Sequence, residues 1–207
     1  MTTATLPRLV TAMNHAEDPR VLQTVALEGI AVAVWLRTAA PAYQEWLDTL
    51  PVDRLPTLAL EVPAVRAADA ISRACDTCGT QAGDARDAFV ADVASIVVAA
   101  SEALGTPMVF LRLQAAKEWT CPNWHVDAVT ARVFATLRGP GTEFGPARPD
   151  GVPRRVSTLP TGAVAIFRGV LWPGNELSGI VHRSPDVPPG TVRHFLSIDP
   201  IDARGTC

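Results

Sequence analysis

No apolar run in this chain approaches the roughly 20 residues that a membrane-spanning helix needs. The strongest, Ile30 to Leu36, has the length of a buried strand instead. Cysteine is scarce: Cys75, Cys78, Cys121 and Cys207 are too few and too unevenly spaced to suggest a secreted disulfide framework in 207 residues. Reduced thiols are expected. Nor is there an excess of positive charge, since the formal net charge is −3 and leaves no basic field to neutralise phosphates. Neither nucleic acid nor a membrane is therefore expected as the main partner. The first twenty residues lack a basic segment followed by an apolar one, and Glu17 and Asp18 arrive early, so a cytoplasmic protein is expected.

What is present is a globular composition, with 48% hydrophobic and 19% charged residues. A chain of this length suits a single domain over residues 1–207. Its character changes near Gly105: residues 1–106 mix helix and strand signals, whereas 107–199 carry almost only strand signals. The clearest helix is 84–104, where Phe89, Val93, Ile96, Val97, Ala100 and Leu104 recur at helical spacing between a possible cap at Asp84 and a stop at Gly105 and Pro107. A shorter helix is expected over 43–50, between strands at 30–37 and 57–62, with 63–83 as a loop. The lone Cys75-x-x-Cys78 motif falls in that loop and has no second pair or nearby His to complete a zinc ribbon.

Strand signals recur at 107–114, 129–137, 152–158, 163–168, 178–183 and 192–199, separated by Gly-Pro, Pro-Asp-Gly and Pro-Pro-Gly turns. The rhythm predicts a mainly β (α+β) fold, a jelly-roll barrel with flanking N-terminal helices. A generic sandwich would give the same strand count.

The chemistry concentrates in two segments, 119–127 and 182–185. If residues 124–128 are extended, the period of two puts His125 and Asp127 on one face with Val126 opposite. An imidazole and a carboxylate suit a borderline divalent metal, and His182, from a distant strand, would complete a facial triad with open positions. A His-x-Asp pair is also a common hydrogen-bonded pair. Its weight grows because His182 ends an apolar strand signal and Arg193 follows at the start of another.

In that order and spacing, residues 107–199 resemble the Fe(II)/2-oxoglutarate-dependent oxygenases, whose double-stranded β-helix carries His-x-Asp, a distal His and then a basic residue. His125, Asp127, His182 and Arg193 match those positions. The flanking Cys-Pro-Asn-Trp-His-Val-Asp text also resembles a bacterial domain family of unknown function. The resemblance implies Fe(II) held by His125, Asp127 and His182, 2-oxoglutarate chelating it through its 2-oxo carboxylate, and O2 and a small-molecule substrate reacting there. Arg193 would anchor the distal carboxylate, with Ser197 on the same strand face adding a hydroxyl. Many relatives place a serine two residues after that arginine, where this chain has Phe195.

Arg132, Phe134, Thr136 and Arg138 alternate along another strand, a polar row that could bind co-substrate or substrate. The Gly139–Glu143 segment reads as a tight turn with Glu143 at the pocket mouth, and Trp119, Trp124 and Trp172 are candidates for an aromatic rim. Two other functions stay open. A cupin-type dioxygenase without 2-oxoglutarate would need no Arg193, and a closed four-ligand site of Cys121, His125, Asp127 and His182 would favour a non-enzymatic zinc protein.

Overall fold

The computed structural model describes residues 6–201. In chain order its elements are β1 (Arg8–Val10), β2 (Ala12–Ala16), β3 (Ile30–Trp35), α1 (Pro41–Thr49), β4 (Leu58–Pro63), α2 (Ala67–Thr77), α3 (Asp84–Leu104), β5 (Met108–Ala116), β6 (Ala131–Arg138), β7 (Glu143–Pro146), β8 (Ser157–Thr158), β9 (Val164–Arg168), β10 (Glu176–Ser178), β11 (Ile180–Arg183) and β12 (Arg193–Pro200). Short 3-10 turns occupy Pro19–Ala26, Val52–Arg54 and Ala64–Arg66. The fold is mainly β, a jelly roll. Its larger sheet runs β2-β3-β9-β6-β12-β5-β4 and its smaller sheet β11-β7-β8, while β1 and β10 form a separate parallel pair.

Strand parity explains how one sheet serves two layers. Leu196 and Ile198 of β12, with Val133 and Ala135 of β6, pack in one core with Phe89, Val93, Ile96 and Val97 of α3. Residues of the other parity, Arg193, Phe195 and Ser197 on β12 and Arg132 and Phe134 on β6, line a cavity between the sheets. Beside it, Phe144, Phe167, Ile180 and Leu159 form a second apolar cluster. α3 can cover the sheet without a break because its apolar positions repeat at helical spacing and Gly105, at φ 65°, ends it in the left-handed conformation.

The helix at 84–104 and the six strand regions after residue 107 appear largely where the sequence puts them, with differences that have physical causes. Residues 63–83 are no loop: they hold a 3-10 turn and α2, an alanine-rich helix that buries Ala67, Ala70, Ile71 and Ala74. Cys75 is buried inside that helix and Cys78 caps its end, so the Cys-x-x-Cys motif is ordered helix terminus. Cys207 lies outside the described residues. Only 157–158 of the expected 152–158 strand is regular, Pro153 making a single bridge to Ala147. The barrel is also not built from the C-terminal half alone, because β2, β3 and β4 extend the larger sheet at both edges. Among the described residues no helix is long and apolar enough to cross a membrane.

Candidate metal centre

His182 sits at the third position of β11 and pairs with His125 through two backbone hydrogen bonds, His125 N to His182 O (3.1 Å) and His182 N to His125 O (2.9 Å). This isolated bridge, not a regular strand over 124–128, brings the two imidazoles together with ring centres 4.6 Å apart. The parity argument for His125 and Asp127 is thus replaced by a bridge followed by a turn. That turn is held where the Val170 amide donates to the Asp127 carbonyl at 2.9 Å. Gly169 allows the approach: a Cβ there would lie 1.9 Å from the Val129 carbonyl oxygen and 2.9 Å from that of Asp127.

One potential ligand atom from each of His125, Asp127 and His182 lies within 4.8 Å of the others. His125 Nδ1 stands 2.8 Å from the Asn123 carbonyl, which fixes its proton there and leaves Nε2, 3.6 Å from Asp127 Oδ1, as an acceptor. Phe134 and Phe167 wall in the His182 ring, at 5.2 and 5.0 Å between centres. Burial pushes the His182 pKa down, whereas the neighbouring Asp127 pushes that of His125 up. Burial works to raise the pKa of Asp127, but His125, His182 and Arg132 outweigh it and hold the carboxyl below the ordinary range. The decisive feature is a mismatch: Asp127 Oδ2 and His182 Nε2 are buried and 3.0 Å apart, yet neither finds a hydrogen bond of usable geometry. Two orphaned lone-pair donors beside a third nitrogen fit a divalent cation, which satisfies all three at once.

Charged groups continue across the cavity, whose volume is about 330 Å³. Arg132 donates to Asp127 Oδ1 and holds both oxygens of Asp199, whose Oδ2 also takes a hydrogen bond from Arg112 at 2.7 Å. Arg193 is different. It is 2% exposed, stacks on Phe195 at 4.1 Å, and donates only to neutral oxygens, Pro140 O (3.1 Å) and Thr142 Oγ1 (2.9 Å). No carboxylate among the described residues pairs with it, and burial pushes its pKa down to about 10. The Gly139–Thr142 turn builds this cradle: Gly139, at φ 82°, lets Val192 and Arg193 pass where a Cβ would meet the Val192 carbonyl oxygen at 2.4 Å.

Ser197 is buried on the cavity wall with Arg193. Arg138 leaves the polar row and instead donates to the Leu47 and Leu50 carbonyls at the end of α1. Glu143 accepts from Arg183 Nε at 2.7 Å, and the Trp124 and Trp119 rings pack on that guanidinium at 4.4 and 5.3 Å. Trp172 belongs to no rim; it packs on Arg168 and the α3-side core. Cys121 lines the cavity, with Sγ 3.8 Å from Nδ1 and 3.9 Å from Nε2 of His125, but is not one of the three residues whose ligand atoms all lie within 4.8 Å of one another. Sequence reasoning missed Arg112, Asp199 and Arg183. Parity offered a signal for the first two, since Asp199 continues the Arg193, Phe195, Ser197 series and Arg112 opposes Leu111 and Leu113.

Fold and site together define a double-stranded β-helix protein with two histidines and one carboxylate converging in a cavity between its sheets. Residues 16–199 match the family described as "Protein of unknown function (DUF1826)", and the chain belongs to that family. No curated protein matches the sequence. Among solved structures it is similar to the 2-oxoglutarate complex of dioxygenase for auxin oxidation 1 from Arabidopsis thaliana, with 13% identity, TM-score 0.50, and coverage of 95% of this chain and 92% of that one. It is also similar to a Pseudomonas putida prolyl-4-hydroxylase (16% identity, TM-score 0.42, 96% of each chain). A third similar structure is an oxidoreductase of the 2OG-Fe(II) oxygenase family from Burkholderia pseudomallei (17% identity, TM-score 0.43, 91% and 95%). At 13% identity the likeness to the auxin-oxidation dioxygenase speaks for the fold alone.

Proposed function

We propose that this protein is a non-haem Fe(II)- and 2-oxoglutarate-dependent oxygenase acting on a small molecule, with His125, Asp127 and His182 as metal ligands. The observation that carries the reading is Arg193: a buried cation with no carboxylate partner among the described residues, facing the cavity that the three ligands also line. Burying such a charge is costly unless a ligand pairs with it, and the distal carboxylate of 2-oxoglutarate is of the right kind. Binding of 2-oxoglutarate by a protein of the same fold supports the choice. When bound, Fe(II) would supply oxygen activation coupled to oxidative decarboxylation of 2-oxoglutarate to succinate.

The remaining work belongs to the chain. Arg193, fixed by Pro140 and Thr142, orients the co-substrate by a charge-assisted pair, and Ser197 stands on the same wall to add a hydroxyl contact. Arg132 serves the site from its bonds to Asp127 and Asp199, holding the Asp127 carboxylate ionised and oriented. Phe134 and Phe167 keep the His182 side of the site dry. Three protein ligands rather than four would hold the metal, so the closed zinc reading loses ground because Cys121 lies outside the cluster. We take the chain as one domain whose first 106 residues supply β2, β3 and β4 to the larger sheet and the helices packed on it. The test is thermal unfolding of the Mn(II) protein: 2-oxoglutarate should stabilise it more than pyruvate does, and equal response to the two acids would reject the co-substrate.

A further inference from the structure

The cavity carries more positive charge than metal and co-substrate binding use, and it is distributed on two walls. Arg112, Arg132, Arg183 and Arg193 line it, four cations against the three carboxylates Asp127, Asp199 and Glu143, which pair with the first three. A divalent metal and the 2-oxoglutarate dianion cancel, so one positive charge is left over in the loaded site. The donors left over with it are identifiable. Arg112, on β5 of the larger sheet, spends only one terminal nitrogen, on an Asp199 carboxylate that Arg132 already grips through both oxygens. Arg183, on β11 of the smaller sheet, spends only Nε, on Glu143. Neither guanidinium has another hydrogen-bond partner among the described residues, and both are partly exposed, at 32% and 27% of the side chain. Arg183 is also preorganised by the Trp124 and Trp119 rings packed on it.

We infer that the substrate oxidised here is a monoanion bearing a carboxylate, received between Arg112 on the larger sheet, which also carries Arg193, and Arg183 on the smaller sheet. This rests on the oxygenase reading above and adds the substrate class to it. One residual charge suits a carboxylate better than a phosphate monoester, whose second negative charge would be left buried without a partner. A planar carboxylate also matches the paired N–H donors of a guanidinium.

The test uses the full chain loaded with Mn(II) and 2-oxoglutarate, and reads paramagnetic broadening of probe proton resonances. The probes are matched pairs: benzoate and benzamide, phenylacetate and phenylacetamide, hexanoate and hexanamide. Acids should broaden at millimolar concentration while their amides do not, and Arg112→Gln or Arg183→Gln should weaken the acids about ten-fold or more. Arg112→Lys and Arg183→Lys, which keep the charge, should recover part of the loss; these variants guard against a folding defect. Equal broadening by amides, silence from every acid, or acids that bind only by displacing 2-oxoglutarate would overturn the inference. Binding of 2-oxoglutarate is measured first by calorimetry on the same sample, so its failure is seen separately and removes both readings.

Discussion

Replacing Arg193 by Met should make the unloaded protein more stable while destroying its response to 2-oxoglutarate. Burial lowers the Arg193 pKa from the ordinary guanidinium range to about 10, which corresponds to about 3 kcal/mol of cost for keeping the charge. A base with a depressed pKa carries that cost in full below the folded value and loses it only as pH rises above about 10 towards the ordinary guanidinium range, so at neutral pH it is undiminished. Methionine removes it but also forfeits the bonds to Pro140 O and Thr142 Oγ1, worth about 1 kcal/mol each. The balance is a gain of about 1 kcal/mol, a rise of roughly 2–4 °C in Tm for a chain of this size. Against that, losing one partner of a buried charge pair should weaken 2-oxoglutarate by about 2–5 kcal/mol, from roughly 30-fold to several thousand-fold. Thermal unfolding with Mn(II), with and without 2-oxoglutarate, reads both effects. A variant that is less stable than the parent, or that 2-oxoglutarate stabilises as strongly, would refute the reasoning.

His125→Ala and His182→Ala should each abolish Mn(II) binding in folded protein, checked by electron paramagnetic resonance of free Mn(II); full metal content in either would remove the triad. Asp199→Asn loosens Arg132 from its bidentate hold and should lower metal affinity about 10- to 100-fold, measured by calorimetry, although Asp199 is not itself in the ligand cluster. Gly169→Ala forces a Cβ onto the Val129 and Asp127 carbonyls and should displace the Asp127 turn, lowering both stability and metal affinity; a neutral result would mean that the close approach is dispensable. Glu176, held down to about 2 by Arg168, the Gly29 amide and Arg8, should stabilise the fold above its ordinary value of 4.5 and lose that effect as pH falls from 4.5 towards 2. Glu176→Gln should flatten that part of the acid-unfolding curve.

The helix at 84–104 was legible because large apolar side chains mark one face and Gly105 marks its end. α2 was not, because Ala67, Ala70 and Ala74 bury a helix face with side chains too small to stand out as a hydrophobic stripe, although alanine favours helix most. The three candidate ligands were legible from residue type and order, but their local geometry was not. An isolated bridge between His125 and His182 and the turn at Asp127 depend on contacts with Val170 and Gly169, more than forty residues away, which no local periodicity encodes. Arg193 followed from the order of the resembled motif and Ser197 from strand parity, a rule that extends to Asp199 but was not carried that far. Arg138 broke the rule because β6 and β12 shift register between His194 and Phe195 and the carbonyls at the end of α1 offer it partners.

The most direct test is an anaerobic titration of the Fe(II) protein with 2-oxoglutarate, following the visible metal-to-ligand charge-transfer absorbance that appears only when the 2-oxo carboxylate chelates iron. A saturable band that disappears in His182→Ala and needs far more 2-oxoglutarate in Arg193→Met is the predicted result. Protein that holds Fe(II) yet develops no band at any concentration of 2-oxoglutarate would contradict it.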